Sequence, residues 1–217
     1  MRYYIVNNKK SPYGDFGDII CTGYIRTFYF EKTEHIYNNV KVFKDKMKDL
    51  DVAELIRTGP YVPEIYVVDN LHGFAMTETF MKKLELSGLK GISNLKPTIK
   101  KKIVNLPWKS WNREDWEIYI EKLYEPEDSL ESGEHDEALA QTMPNIFYFV
   151  SMTEECKLSI ENRDSDDEKY VLDKAPRSDV FRALNMLHCI ISENFKTFLE
   201  ENAIDNLSYC EIFIEQS

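Results

Sequence analysis

A chain of 217 residues that is 43% hydrophobic and 13% aromatic has enough apolar material for one sizeable core, which excludes wholesale disorder although 30% of its residues are charged. Its 27 Lys and Arg against 38 Asp and Glu leave a net charge of -11, a field that repels nucleic acid and anionic lipid and suits a basic protein partner. No apolar run approaches the ~18 residues of a membrane span, and the opening run from Met1 to Val6 is too short for an export signal.

The expectation is therefore a single cytoplasmic domain over 1–217. Four scattered cysteines, Cys21, Cys156, Cys189 and Cys210, fit that reading, because they lack the spacing of a metal site and suit reduced thiols buried as small apolar residues.

In chain order, Arg2 to Val6 and Ile19 to Phe30 are rich in Ile, Tyr, Phe and Thr and predict strands, with a loop around Tyr13–Asp18. From Glu34 to Ile56 the apolar residues Ile36, Val40, Phe43, Met47 and Leu50 recur at three- or four-residue steps, which predicts an amphipathic helix. Pro60 and Pro63 bracket a break before a short strand at Ile65–Val68.

The next segment occurs twice. Phe74 to Leu89 aligns without a gap to Cys189 to Ile204, and the register continues from Ile92 to Leu207 and from Ile99 to Ile214. In both copies an apolar strand runs into a hydroxyl residue, Thr77 or Ser192, suited to cap a helix, followed by Glu78 or Glu193 at the positive end of the dipole. Phe80 with Leu84, and Phe195 with Leu199, share one helical face. The helices stop at Ser87-Gly88 and near Asn202, residues tolerant of the left-handed conformation, and a strand follows.

The prediction is an α+β fold: a single domain with a mixed or antiparallel sheet and two strand-helix-strand units, 65–105 and 183–215, packed together. Neither unit buries its apolar side alone, so the two are expected to pack about a local pseudo-twofold. Chance likeness between two common patterns is the competing explanation.

Between the units, Trp108, Trp111 and Trp116 cluster after Pro107, and tryptophans in such a cluster serve either a core or an interface hot spot. The stretch from Glu125 to Glu137 is an acidic loop, and Ala138–Gln141 leads into a strand at Ile146–Val150. A second acidic loop, Asn162 to Lys169, carries Asp164, Asp166, Asp167 and Glu168 before the apolar Tyr170-Val171-Leu172. It lacks the central Gly and distant Glu of a calcium loop and reads as a solvated, partner-steering surface.

There is no G-x-S-x-G elbow, no H-E-x-x-H, no Walker loop and no G-x-G-x-x-G, and the four histidines stand apart in sequence. His188 and Cys189 are adjacent, and on a strand they point to opposite faces. No catalytic residue, metal site or cofactor is assigned.

The segment Pro63-Glu64-Ile65 through Gly73-Phe74-Ala75-Met76-Thr77-Glu78-Thr79-Phe80, the phrase Leu86-Ser87-Gly88-Leu89-Lys90-Gly91-Ile92 and the tail Ile190 to Glu200 resemble a group of bacterial immunity-type proteins of polymorphic toxin systems. The likeness spans roughly Val62 to Phe213 and leaves the first 60 residues and the tryptophan segment outside it. It implies a non-catalytic cytoplasmic antidote that neutralises a cognate toxin by direct binding. Trp108, Trp111, Trp116, Asp164, Asp166, Asp167 and Glu168 are the candidate contact residues, and the sequence leaves the oligomeric state open. Two other classes also remain: an enzyme whose site assembles from dispersed acidic residues and histidines, and an oligomeric scaffold.

Overall fold

The computed structural model describes residues 1–9, 24–27, 53–57, 62–68, 73–92, 95–105, 132–149, 156–163, 168–183, 185 and 188–215. The fold is α+β, with the strands divided between two six-stranded mixed sheets. Strands β1 (Tyr3–Asn8), β2 (Tyr24–Thr27), β3 (Ala53–Arg57), β4 (Ile65–Val68) and β5 (Gly73–Thr77) precede helix α1 (Glu78–Leu86) and β6 (Lys96–Ile103). Helix α2 (Glu137–Thr142), β7 (Ile146–Phe149), β8 (Leu158–Glu161), β9 (Lys169–Leu172), β10 (Val180–Arg182) and β11 (Cys189–Ser192) then lead to α3 (Glu193–Glu201) and β12 (Leu207–Ile214).

One sheet has the order β2-β3-β6-β7-β5-β4, the other β8-β9-β12-β1-β11-β10. Each has one parallel pair, β3 with β6 and β12 with β9, and its other pairs are antiparallel. Position by position the two orders are the same: an antiparallel pair, the strand after the helix, a central strand, and a second antiparallel pair. The central strand is exchanged. β1, from the first half of the chain, lies between β11 and β12, while β7, from the second half, lies between β5 and β6.

The two similar units behave as the sequence predicts at their helix starts. Thr77 Oγ1 accepts from Phe80 N at 3.3 Å and Ser192 Oγ accepts from Phe195 N at 3.2 Å, so each hydroxyl satisfies one orphan helix donor. The likeness extends further back than the predicted 183: Thr77 N donates to Glu64 O, and Ser192 N to Asp179 O, which places β10 opposite β4 in the second copy. Gly88 (φ 73) and Ala203 (φ 58) occupy the left-handed turn after each helix. The second of these is one residue later than the expected Asn202, which has φ -92.

Beyond the helices the predicted register slips. Pro97 pairs with Phe147 and Glu211 with Tyr4, and Phe147 and Tyr4 hold equivalent places, so Ile99 corresponds to Phe213 rather than to Ile214. The loop before β6 is longer by one residue. Within it Gly91 (φ 90) lies so close to the Val180 carbonyl that any Cβ would collide with it.

The predicted helix over 34–56 is corrected at its end. Ala53–Arg57 is strand β3, with Leu55 fully buried and paired to Ile25 and Lys100. Its remaining positions, 34–52, lie outside the described residues.

The faces of both sheets that carry α1 and α3 meet in one core. It joins Phe74, Met76, Phe80 and Leu84 of one copy to Cys189, Ile191, Phe195 and Leu199 of the other, with Tyr4 and Val6 of β1. Phe74 stacks on Phe195 at 5.7 Å, and Phe80 meets Phe198 edge-on at 5.9 Å. A second cluster, Tyr3, Ile5, Leu158, Leu172, Phe181, Ile190 and Ile212, covers the opposite face of the second sheet. β1 is therefore buried on both faces.

Three sheet edges are closed. The Asn8 side chain accepts from Val67 N at 2.9 Å and donates to Val67 O at 2.8 Å, sealing β4. Asn185 brackets Leu158 of β8 in the same way, at 3.0 and 2.7 Å. Lys90 O accepts the N–H groups of Asp179 and Val180 beside β10. Such plugs keep unpaired backbone groups from templating another chain.

Candidate partner-binding face

Cross-strand neighbours project from the same side of a sheet, which fixes what the β8-β9-β12 end of the second sheet presents. Glu161 stands opposite Lys169, Ser159 opposite Val171, and Val171 beside Phe213, with Glu211 two residues earlier on β12. Val171 is buried, but Phe213 is 49% exposed and Glu161, Lys169 and Glu211 are exposed. Lys169 Nζ lies 5.9 Å from the centroid of the Phe213 ring, a cation–π contact.

Toward α3 this surface is bounded by Lys196, whose Nζ sits 5.4 Å from the Tyr4 ring and 5.3 Å from that of Tyr209. The reverse side of the same three strands is the second hydrophobic cluster, so Phe213 projects from a sheet whose other face is packed. A rigid backing of this kind reduces the ordering cost of binding. Exposed Glu161, Glu211 and Glu215 outnumber Lys169 and Lys196 around Phe213, so the rim is mixed with a small acidic excess.

Of the predicted contact residues, Glu168 is described, and it lies on the reverse side of the sheet from Phe213, with Tyr170. It is exposed at the start of β9, and its carboxylate bonds to the Tyr170 side chain. Burial first, and then Glu168, raise the Tyr170 hydroxyl above its ordinary pKa, and the same two causes raise the Cys210 thiol. Asp164, Asp166 and Asp167 lie outside the described residues, as do Trp108, Trp111 and Trp116.

Phe213 was missed by sequence reasoning. A signal was present, because Ile212-Phe213-Ile214 puts apolar residues on both faces of a strand and so exceeds a one-sided alternation.

Among the described residues, several polar groups that an enzyme reading would recruit hold structural positions, while His35 and His72 lie outside the described residues. His135 Nδ1 accepts from Ile103 N at 3.0 Å, which assigns the proton to Nε2, and Nε2 donates to Glu137 at 3.1 Å. Asp136 caps α2 through Leu139 N at 2.8 Å. Lys100 Nζ donates to the Ala140 and Met143 carbonyls at the end of that helix, and burial lowers its pKa.

His188 and Cys189 do not form a pair. Cys189 points into the shared core, where burial pushes its thiol up to about 12 against the opposing influence of Arg182. His188 instead meets the Tyr170 ring at 6.4 Å, and burial lowers its pKa.

Arg182 is a second residue that the sequence did not flag: it is fully buried and pairs across the strands with Cys189. An open hollow of about 460 Å³ lies between Ser87–Lys90 and Pro176–Asp179. The Asp179 carboxylate there is engaged by Ser192 Oγ at 2.6 Å and Lys90 N at 2.8 Å, which ties one copy to the other. Among the described residues no three His, Cys, Asp or Glu side chains gather as metal ligands, and no helix is long and apolar enough to cross a membrane.

In comparisons with known proteins, no family model and no curated protein matches this chain.

Proposed function

We propose that this chain is a non-catalytic binding protein of the immunity type, a cytoplasmic antidote that neutralises a cognate bacterial toxin by occluding it. The observation that carries the reading is the β8-β9-β12 face: a half-exposed Phe213 on a firmly backed sheet, rimmed by Glu161, Glu211 and Glu215. An aromatic anchor inside a charged rim is the composition of a binding hot spot. The small acidic excess of the rim and the net charge of -11 favour a partner with a basic surface, raising its association rate more than its affinity. The resemblance to polymorphic-toxin immunity proteins supports the same reading.

The test is a growth-rescue assay against the toxin encoded by the neighbouring gene, with the affinity of the purified pair measured alongside. Rescue by the wild-type chain is expected. Phe213→Ser should weaken binding by roughly 30-fold, the effect of ~2 kcal/mol at a hot spot. Glu211→Lys should act chiefly on the association rate and its salt dependence. Failure of the wild-type chain to bind or rescue would overturn the immunity reading, and full affinity in a folded Phe213→Ser variant would move the interface elsewhere.

A further inference from the structure

We infer that this chain is a duplicated unit, β1 to β6 and β7 to β12, whose two copies have exchanged their first strands, and that the copies hold one another even as separate polypeptides. The partner each copy fits is thus the other copy. This inference stands apart from whatever the β8-β9-β12 face binds.

The argument begins with equivalence. Tyr3 of β1 pairs with Ser192 at the start of α3, and Ile146 of β7 pairs with Thr77 at the start of α1. Ser192 and Thr77 are the matching caps, so β1 and β7 occupy the same place in the two sheets. Returning each strand to its own copy would preserve every ladder, so the exchange costs no pairing and makes the interface continuous β-sheet. Such reciprocal exchange is how identical units build closed pairs.

The residues entering the exchanged strands reinforce the link. Arg2 O accepts from Glu193 N at 2.9 Å, and Asn145 O accepts from Glu78 N at 3.0 Å. The Arg2 side chain then donates to the Glu193 carboxylate at 2.9 Å, and that of Asn145 to Glu78 at 3.0 Å. Each copy thus completes the helix start of the other, satisfying donors that a helix cannot satisfy within itself. The side-chain plugs on β4 come from Asn8, on β1 within the opposite sheet, and from Asn206 just before β12, and the second of these repeats the dependence between copies at the edge.

The experiment inserts a protease recognition sequence between Gly133 and Glu134, which precede α2 and β7 and lie outside the sheets. Cutting there separates a fragment bearing β1 to β6 from one bearing β7 to β12. The two are expected to co-elute at the mass of the intact chain, melt together, and part only in denaturant. Two fragments that elute separately in native buffer, each keeping its circular dichroism, would overturn the inference.

A second variant locates the exchanged strand directly. Ile5 pairs across the ladder with Cys210, so Ile5→Cys places two thiols at a spacing that a disulfide spans. After oxidation and cutting, the fragments should run as one band in a denaturing gel without reductant, with peptide mapping assigning the link to positions 5 and 210. If the inserted sequence prevents folding, the uncut Ile5→Cys chain gives the same reading. A link to Cys210 supports the exchange, and an unreacted position-5 thiol in a folded chain overturns it.

Discussion

The two copies share a backbone plan and differ on their surfaces. Ile99 and Phe213 stand at equivalent positions on β6 and β12, and both are large exposed hydrophobics, at 56% and 49%. Around them the neighbours on the same strand differ. Pro97 and Lys101 accompany Ile99 where Glu211 and Glu215 accompany Phe213. Several buried counterparts diverge far less: Thr77 and Ser192 cap the same donors, Phe80 and Phe195 fill the same core, and Leu55 and Leu172 are both fully buried. Packing tolerates few alternatives at such positions, whereas surface substitution costs little. The pair therefore carries one scaffold and two different faces.

The comparison is sharpened most by Phe80→Ala and Phe195→Ala. Each removes a fully buried ring and should cost about 3–5 kcal/mol. Because both rings belong to one core, urea melts followed by fluorescence and by circular dichroism should coincide for either variant. Two separated transitions, with only one displaced, would show that the halves unfold independently.

The caps offer a smaller and unequal effect. Thr77→Ala should cost about 1 kcal/mol. Ser192→Ala should cost more, because its hydroxyl also donates to Asp179 at 2.6 Å and leaves that carboxylate short of a partner. Equal losses in denaturant melts would mean that the Asp179 contact contributes nothing to the second copy.

The smallest effect lies at the left-handed turns. Gly88→Ala should destabilise by about 1 kcal/mol, since a Cβ disfavours positive φ. Ala203→Gly should change stability by less, in the stabilising direction, because the strain it relieves is partly offset by a more flexible unfolded chain. Thermal melts of the two variants against the parent would check the opposite signs.

These contrasts also explain what the sequence could reveal. The caps, the helix faces Phe80/Leu84 and Phe195/Leu199, and the strand at Ile65–Val68 were legible because their determinants lie within a few residues of one another. The exchange was not. Tyr3 pairs with Ser192 and Ile212, and no local pattern records which distant strand an apolar run will join. Ala53–Arg57 failed for a related reason. Its alternation extended an apparent helical period, and parallel pairing with β6 decided the outcome. The candidate face was not legible in the sequence, because exposure of Phe213 depends on where the shared core ends.

The central place of β1 has a consequence for biosynthesis. Tyr3-Tyr4-Ile5-Val6 leaves the ribosome long before the strands that flank it, β11 and β12, which lie far downstream in the sequence. At ~5–20 residues per second this segment waits roughly 10–40 s for its neighbours. During that interval four apolar residues with unpaired amides are open to any chaperone that binds extended chain.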